Sequence, residues 1–287
     1  MAGSTTTTLN DLLPEIIQEA MFVASERSIM RGLVKNYTLA PGQGKNVNVP
    51  IYPIQTAAAV VEGDEVPNTA VSTNNAQLTV STVAIRTMLT DLARTSAASN
   101  VVADLGKLFG EAVARKMDSD LTALFAGFAA GQGNYTAVIT VADIFKAVAG
   151  LKANAVPTEG MVCVLHPEIA YDLKAALTTS GNTPFTMGGV YGEVGNEAMR
   201  AGFVGVLAGI PIYETSNINY VTNPGDFPGA VFQRDALGLG MIGDIAIETQ
   251  RRAAFLGDDI VCSAYYGVGE LQDGYGRHLK FDSSINP

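Results

Sequence analysis

The chain has 287 residues, of which 47% are hydrophobic and 16% charged, and its 18 basic and 28 acidic residues give a net charge of −10. This length suits one large domain or two small ones, and the composition excludes the disordered, collagenous and coiled-coil classes. The acidic balance argues against a protein whose main surface binds nucleic acid, and the low charge predicts that much of the surface is covered.

Residues 1–44 are predicted to form an N-terminal arm with a helix over residues 9–40 that ends at or just before Pro41. The first eight residues have neither the basic nor the apolar region of a secretory signal, so export is not expected. The helix carries a basic face, in which cations recur every four residues: Arg27, Arg31 and Lys35. Two interpretations of this face stay open, a solvated helix surface and contact with an anionic neighbour.

Residues 45–90 show the alternation of a long β-hairpin. Apolar residues alternate along both arms, with a change of phase in the second: Val47, Val49 and Ile51, then Leu78 and Val80, then Val83 and Ile85. The change of phase predicts a bulge or a strand contacted on both sides.

Between the two arms, residues 60–68 are predicted to be an exposed hairpin tip with three acidic residues, Glu62, Asp64 and Glu65. A two-stranded hairpin of this length is marginally stable alone in water. We therefore expect it to lie on another part of the protein or on another molecule.

The strongest helical pattern covers residues 96–128. Apolar residues recur there at spacings of three and four: Val101, Leu105, Phe109, Val113, Met117, Leu121, Leu124 and Phe128. At about 1.5 Å per residue, such a helix is roughly 45–50 Å long. It is longer than a compact domain of this size requires, so it is expected to be a spine.

After residue 139 the pattern becomes mixed α/β. Thr140 and Asp143 are spaced to cap a helix, a buried strand is predicted over residues 161–165, and Pro167 opens a second helix. A glycine-rich stretch covers residues 180–209, and strands are predicted over 210–213, 230–233 and 244–249. Residues 252–281 are predicted to be short strands broken at Gly257 and at Gly267, Gly269, Gly274 and Gly276.

Glycine and acidic motifs that could carry chemistry are poorly placed for it. Residues 238–243 match a dinucleotide-binding glycine pattern, but a strand follows where that site needs a helix. Three pairs of neighbouring acids lack the spacing of a calcium loop and are expected to be solvated: Asp64 with Glu65, Asp118 with Asp120, and Asp258 with Asp259.

Histidine and cysteine are scarce. His166 lies at a strand-to-helix join without a nucleophile motif and is expected to be a hydrogen-bonded strand-end residue, and His278 lies in a polar segment. Cys163 and Cys262 lie in apolar runs and are expected to be buried thiols in a reducing compartment. No catalytic residue, cofactor site or metal site is therefore predicted.

Three segments carry a resemblance to a known family. Residues 165–174, Leu-His-Pro-Glu-Ile-Ala-Tyr-Asp-Leu-Lys, resemble the strand-to-helix segment of the axial domain in the major capsid proteins of tailed bacteriophages. Residues 206–216 resemble the Gly-Ile-Pro-Val phrase of that family, and residues 250–280 its closing peripheral strands. Their order along nearly the whole chain resembles the Hong Kong phage capsid fold, an α+β fold.

The resemblance implies a division of the chain into five parts. These are an N-terminal arm (1–44), an extended hairpin loop that overlaps a neighbouring subunit (45–90), a spine helix with part of a peripheral domain (91–139), an axial domain (140–245) and the returning peripheral strands (246–287). In this arrangement Glu62, Asp64 and Glu65 are an assembly interface, and Arg27, Arg31 and Lys35 are a basic face toward the interior.

The implied function is that of a major capsid protein and not of an enzyme. Hexamers and pentamers of the chain would form an icosahedral shell around double-stranded DNA, in a virion assembled in the host cytoplasm. The implied partners are further copies of the chain, a portal, scaffolding or decoration proteins, and DNA bound without sequence preference. No cofactor and no membrane are implied.

Two features depart from the family pattern, and two alternatives stay open. No coiled-coil scaffolding segment precedes the fold, which implies a separate scaffold or none. No lysine lies between Lys45 and Lys107, so the loop has none for covalent crosslinking. An encapsulin-type compartment shares the fold and encloses proteins instead of DNA, and an α+β enzyme would use His166.

Overall fold

A computed structural model of the chain describes residues 28–285, apart from 97–100, 180–202 and positions 41, 43, 53, 54, 56, 58, 61, 62, 64, 67 and 69. Arg27, Glu62 and Asp64 lie outside the described residues, as do residues 9–27 of the predicted N-terminal helix and most of the glycine-rich stretch. The described helices are α1 (Met30–Leu33), α2 (Asp91–Ser96), α3 (Val101–Ala123), α4 (Val141–Ala153) and α5 (Pro167–Thr179).

The described strands form two large sheets and one hairpin. They are β1 (Lys35–Leu39), β2 (Asn46–Ile51), β3 (Asn74–Thr79), β4 (Ser81–Thr90), β5 (Gly131–Gln132), β6 (Met161–Leu165), β7 (Phe203–Leu207), β8 (Ile210–Glu214), β9 (Phe227–Gln233), β10 (Leu237–Ile242), β11 (Ala246–Arg252), β12 (Gly257–Glu270) and β13 (Gly276–Phe281).

The strand β12 is the centre of the first sheet. It pairs antiparallel with β4 along one side and with β11 and then β10 along the other, and β10 pairs in parallel with β1. The expectation of short strands broken at Gly257, Gly267 and Gly269 is wrong, because one strand of 14 residues contains all three. Gly267 and Gly269 are explained by close packing against the hairpin, described below, and Gly257 by close approach of the backbone of β4 at Leu89.

The second sheet has the order β5-β13-β9-β6-β8-β7. Its central strands β6 and β9 are buried along their whole length. The predicted capping pair is confirmed at α4, where Thr140 and Asp143 each bond the other's backbone N–H. This pair fixes the start of a helix whose buried face contains Ile144, Val148 and Leu151, as predicted.

The two sheets do not divide at residue 245, the predicted end of the axial domain. The strand β10 lies before this position and pairs in the first sheet, whereas β13 lies after it and pairs in the second. The chain therefore crosses between the sheets from Glu270 to Gly276. One hydrophobic core cluster contains residues of both sheets and of α3. The division into domains stays a prediction.

The helix α3 lies within the predicted spine. Its 23 residues are about 35 Å long at about 1.5 Å per residue, shorter than expected, and a 3-10 turn over Leu124–Gly127 follows. The predicted apolar face is confirmed, since these residues are buried: Leu105, Phe109, Val113, Met117 and Leu121. The helix packs this face into the shared core.

The prediction that the N-terminal helix continues to Pro41 is wrong. The helix α1 ends at Leu33, and Lys35 begins β1, opposite Gly238 of β10. The backbone hydrogen bonds of β1 come from a strand about two hundred positions away in sequence, which local helical spacing cannot reveal. Arg31 lies in α1 and Lys35 in β1, so these cations do not share a helix face.

The predicted hairpin is confirmed at its base. The strands β2 and β3 pair antiparallel, from Asn46 opposite Thr79 to Ile51 opposite Asn74. The change of phase at Val80 is neither a bulge nor a strand contacted on both sides. It marks the passage from β3, in the hairpin, to β4, in the first sheet.

Candidate assembly surface

The root of the hairpin packs on a glycine-lined part of the first sheet. Leu78 is fully buried there and lies over Gly238 and Gly269. A Cβ atom at Gly238 would lie 2.9 Å from Leu78 Cδ1, and one at Gly269 would lie 2.6 Å from Leu78 Cδ2. The glycine pattern that begins at Gly238 therefore allows the hairpin to approach the sheet, and β10, a strand, occupies the place of a phosphate-binding turn.

Beyond this root the hairpin is exposed. Every described residue between 52 and 75 is exposed to solvent, including Glu65, the described member of the acidic tip. The exposed residues also include large apolar side chains: Tyr52, Val60, Val66 and Val71. Val66 is 73% exposed. Apolar side chains grouped on one projecting element are typical of a surface that another molecule covers.

Asp258 and Asp259 are buried, contrary to the expectation that they are solvated. Four arginines contact them: Arg94 and Arg251 at Asp258, and Arg86 and Arg252 at Asp259, the last two at 2.7 and 2.6 Å. The acids are buried because β12 lies between β4 and β11. Arg86 reaches them from β4, Arg251 and Arg252 from β11, and Arg94 from α2. The sequence does contain a signal for these ion pairs, because Arg251 and Arg252 precede the turn that Asp258 and Asp259 follow.

This ion-pair cluster, formed by the four arginines with Asp91, Asp258 and Asp259, ties α2 to the first sheet. The Arg251 guanidinium bonds both carboxylate oxygens of Asp91, at 2.7 and 2.6 Å, and this pairing lowers the pKa of Asp91. Asp259 Oδ1 is buried without a hydrogen-bond partner among the described residues.

Asp118 of α3 anchors residues 28–30, which belong to the N-terminal arm. Four donors bond its buried carboxylate: Ser28 Oγ at 2.6 Å, Ile29 N at 3.2 Å, Met30 N at 3.3 Å and Asn217 Nδ2 at 3.3 Å. Burial raises the pKa of Asp118. Asp120 points elsewhere and accepts a hydrogen bond from Tyr266 Oη at 2.9 Å. The expectation of a solvated Asp118 with Asp120 is therefore wrong.

The predicted basic face is only partly described. Lys35 forms an ion pair with Asp235 at 2.8 Å, and this contact raises the pKa of Lys35. Arg31 lies in α1, and Arg27 lies outside the described residues. Since Arg31 and Lys35 belong to different elements, the helical stacking from which the face was inferred does not hold between them.

The expectation for His166 is confirmed. It follows β6, its ring stacks on Phe227 with centroids 3.5 Å apart, and its Nδ1 accepts a hydrogen bond from the backbone N–H of Glu168 at 3.4 Å. Burial lowers the pKa of His166. The ring is thus used to hold the start of α5, as a structural strand-end residue does.

Both cysteines are free and buried, as predicted. Burial raises the pKa of Cys262 to about 11 and that of Cys163 further, so neither is a thiolate at neutral pH. Within the described parts of the chain, no three or more His, Cys, Asp or Glu side chains are grouped as a metal site. No helix among the residues described here is long and apolar enough to span a bilayer.

Residues 74–276 match a family described as phage capsid protein. This segment runs from the start of β3 to the start of β13 and so contains most of both sheets. A comparison with curated proteins finds no match.

Solved structures with similar folds include structures from phages and from a GTA particle. A capsid structure of cyanophage P-SCSP1u has a TM-score of 0.67 at 19% identity, covering 90% of this chain and 89% of that one. Mycobacterium phage Che8 gives 0.67 at 20% identity, with 88% and 90% covered. The capsid of a native GTA particle gives 0.67 at 11% identity, with 91% of each chain covered. The expected capsid-like α+β fold is confirmed.

Proposed function

Because the chain belongs to the phage capsid protein family, we propose that it assembles as hexamers and pentamers into an icosahedral shell that encloses double-stranded DNA. It is a structural protein of the capsid shell and not an enzyme. The alternative of an enzyme using His166 is therefore wrong, and Nδ1 of that residue bonds the start of a helix instead.

The exposed hairpin is the observation that carries this proposal. Its root is packed on the subunit through Leu78, while Tyr52, Val60 and Val66 are exposed among the residues that the structure describes. A two-stranded ladder with exposed apolar side chains gains stability only when another surface buries them. In a closed shell, a neighbouring subunit would supply such a surface to each copy of the chain.

The acidic tip fits the same role. Glu62, Asp64 and Glu65 would meet cationic side chains of a neighbouring subunit and set the register of the overlap. The N-terminal arm with Arg27, Arg31 and Lys35 would face the interior. The further partners in this proposal are a portal, a separate scaffold or decoration proteins, and assembly would take place in the host cytoplasm.

Replacement of residues 61–68 by a short Gly-Ser linker tests the proposal. The variant is expected to keep the circular dichroism spectrum of the wild-type subunit and to form no shells in electron micrographs, because the root at Leu78 is untouched. Val66→Asp should act in the same direction, and Val66→Leu, which keeps the apolar contact, should assemble like the wild type. Normal shells from both the linker variant and Val66→Asp would contradict the role of the hairpin.

The contents of purified shells separate the capsid from an encapsulin-type compartment. Nuclease-protected double-stranded DNA in shells isolated from the natural producer is the expected result, because the matched family is that of phage capsids. A defined protein cargo without DNA would favour the compartment. A wild-type chain that stays a 30.0 kDa monomer in light scattering, with scaffold supplied, would contradict both kinds of shell.

A further inference from the structure

A groove lies beside α3 at the point where the described part of the chain begins. It contains a cavity of about 210 Å³ that is lined by Glu111 and Arg115 of α3, by residues 214–217 and by Ile29. Leu108, one turn before Glu111 on the same side of the helix, is 58% exposed. We call the surface formed by Leu108, Glu111, Arg115 and residues 214–217 the spine groove. An apolar side chain and a polar cavity are thus open next to each other.

The spine groove is open in one direction along α3. On the C-terminal side of Asp118, Ser119 Oγ accepts a hydrogen bond from residues 217–219 at 2.9 Å, and Thr122 Oγ donates one to them at 3.2 Å. This part of the helix is therefore already covered. On the N-terminal side the groove is open as far as Leu108. A segment bound in the groove would therefore lie along α3 between Asp118 and Leu108.

The chain itself enters the groove at Ser28. The Ser28 hydroxyl donates to Asp118 Oδ1 at 2.6 Å, and Ile29 lines the cavity. The 27 residues before Ser28 are therefore tethered at the end of the groove. A tethered segment has a far higher effective concentration at a nearby surface than a separate molecule has. The arm is thus the occupant that the position of Ser28 favours.

The sequence of the arm has two different faces when it is read as a helix. Uncharged residues at spacings of four, three and four share the face of Ser28: Ile17, Met21 and Ala24. Acidic residues at spacings of four and seven lie on the opposite face: Glu15, Glu19 and Glu26. The face that continues from the Asp118 contact is therefore the one that can be buried.

The register of the two segments brings apolar residues together. Parallel helices side by side advance equally, by about 1.5 Å per residue. Since Ser28 lies at Asp118, Ile17, which is 11 positions before Ser28, comes opposite the region of Leu108, which is 10 positions before Asp118. The exposed leucine of the groove is thus matched by an apolar residue of the arm.

We propose that residues 15–27 bind as an amphipathic helix in the spine groove of the same chain, with Ile17 against Leu108. The inference goes beyond the proposed function, because the contact lies within one subunit and needs no shell. It assigns to the arm a docked position on its own spine before assembly.

Disulfide formation in the full-length chain tests the register. Ile17→Cys with Leu108→Cys should form a link within one chain in dilute, unassembled subunits under mild oxidation, since a disulfide requires Cα atoms about 4.4–6.8 Å apart. Both natural cysteines are buried and should not interfere. Glu19→Cys with Leu108→Cys, on the opposite face of the arm, is the matched control and should stay unlinked. Links between two chains only, or equal linking in both pairs, would overturn the docking within one chain.

Proteolysis measures the strength of the contact. Leu108→Asp should increase the rate of cleavage after Glu19 by a glutamate-specific protease at least about tenfold, because cleavage follows the population of released arm. Leu108→Met keeps the apolar contact and should be cleaved like the wild type. Leu108 is exposed in the described subunit, so both variants should keep its melting temperature. Unchanged cleavage of Leu108→Asp, together with no link between positions 17 and 108, would overturn the proposal and leave the capsid function untouched.

Discussion

Single residues decide how the hairpin is joined to the subunit. Gly267 lies where a Cβ atom would overlap the backbone of Thr79, which cannot move as a flexible side chain can. Gly267→Ala is therefore expected to lower the free energy of unfolding by about 1–3 kcal/mol, measured by urea denaturation of unassembled subunits. Gly274→Ala, where no heavy atom lies within 4 Å, is the control. Equal effects of the two substitutions would contradict the packing argument.

Asp118 holds the N-terminal arm on α3. Asp118→Ala would leave the backbone N–H groups of Ile29 and Met30 and the Ser28 hydroxyl without their buried acceptor. We expect a loss of about 2–3 kcal/mol of stability, since unpaired buried donors are costly. Faster proteolysis near Ser28 should accompany it. Asp244→Ala, at an exposed turn, should change neither quantity, and a similar effect there would argue against an anchoring role for Asp118.

The sequence showed residue roles where the partners are close along the chain. Thr140 and Asp143 are three positions apart, so their capping pair could be predicted without a fold. The bonds of Asp118 reach Ser28 and Asn217, about a hundred positions away on either side. Neighbouring acids look alike in sequence whether water or distant donors surround them, and only the fold distinguishes the two.

Whole elements, too, could be predicted only where the pattern that defines them is local in sequence. The apolar face of α3 repeats within one helix and was predicted from spacing alone. The strand β1 depends on pairing with β10, and the continuity of β12 through Gly267 depends on Thr79 lying over it. Glycine in a strand signals a break or a close approach equally well, and the choice depends on a contact that local spacing does not contain.

The crossing from β12 to β13 gives a pH-dependent prediction. Burial, and then the charge of Asp273, raise the pKa of Glu270 above its ordinary 4.5. A carboxyl group of this kind binds its proton more tightly in the folded state. Its stabilising contribution is therefore fully present below about pH 4.5 and is lost as the pH rises through the folded pKa.

Glu270→Gln should accordingly raise the melting temperature at pH 7 and change it little near pH 4, because glutamine resembles the protonated form. Melting of unassembled subunits between pH 4 and 8 measures the difference. Glu248→Gln, on the exposed side of β11, should show no such trend. A gain of equal size at both ends of the range would show that Glu270 is not the titrating group.

On the scale of the whole molecule, the features that local sequence patterns do not explain are the exposed surfaces of the subunit. The hairpin is exposed beyond its root, Leu92, Phe255 and Leu256 are exposed at one end of the first sheet, and only 16% of the residues are charged. The resemblance of three ordered segments predicted the fold although no single segment was decisive. Order along the chain is informative because it reflects topology, which persists when pairwise identity falls to 11–20%.

The net charge of −10 bears on the proposed enclosure of DNA, because an acidic chain repels the phosphate backbone. Free subunits should bind duplex DNA weakly and without sequence preference, and the binding should vanish near 0.15 M salt, where charges more than about 8 Å apart are screened. A salt titration with two unrelated duplexes measures this.

Replacement of Arg27, Arg31 and Lys35 by glutamine should leave empty-shell assembly intact and at most loosen DNA retention. The lost pair between Lys35 and Asp235 is exposed and worth at most about 1 kcal/mol. Tight, sequence-selective binding at 0.15 M salt would contradict a shell that holds DNA by enclosure, and failed assembly of the triple variant would place these cations in a subunit contact instead.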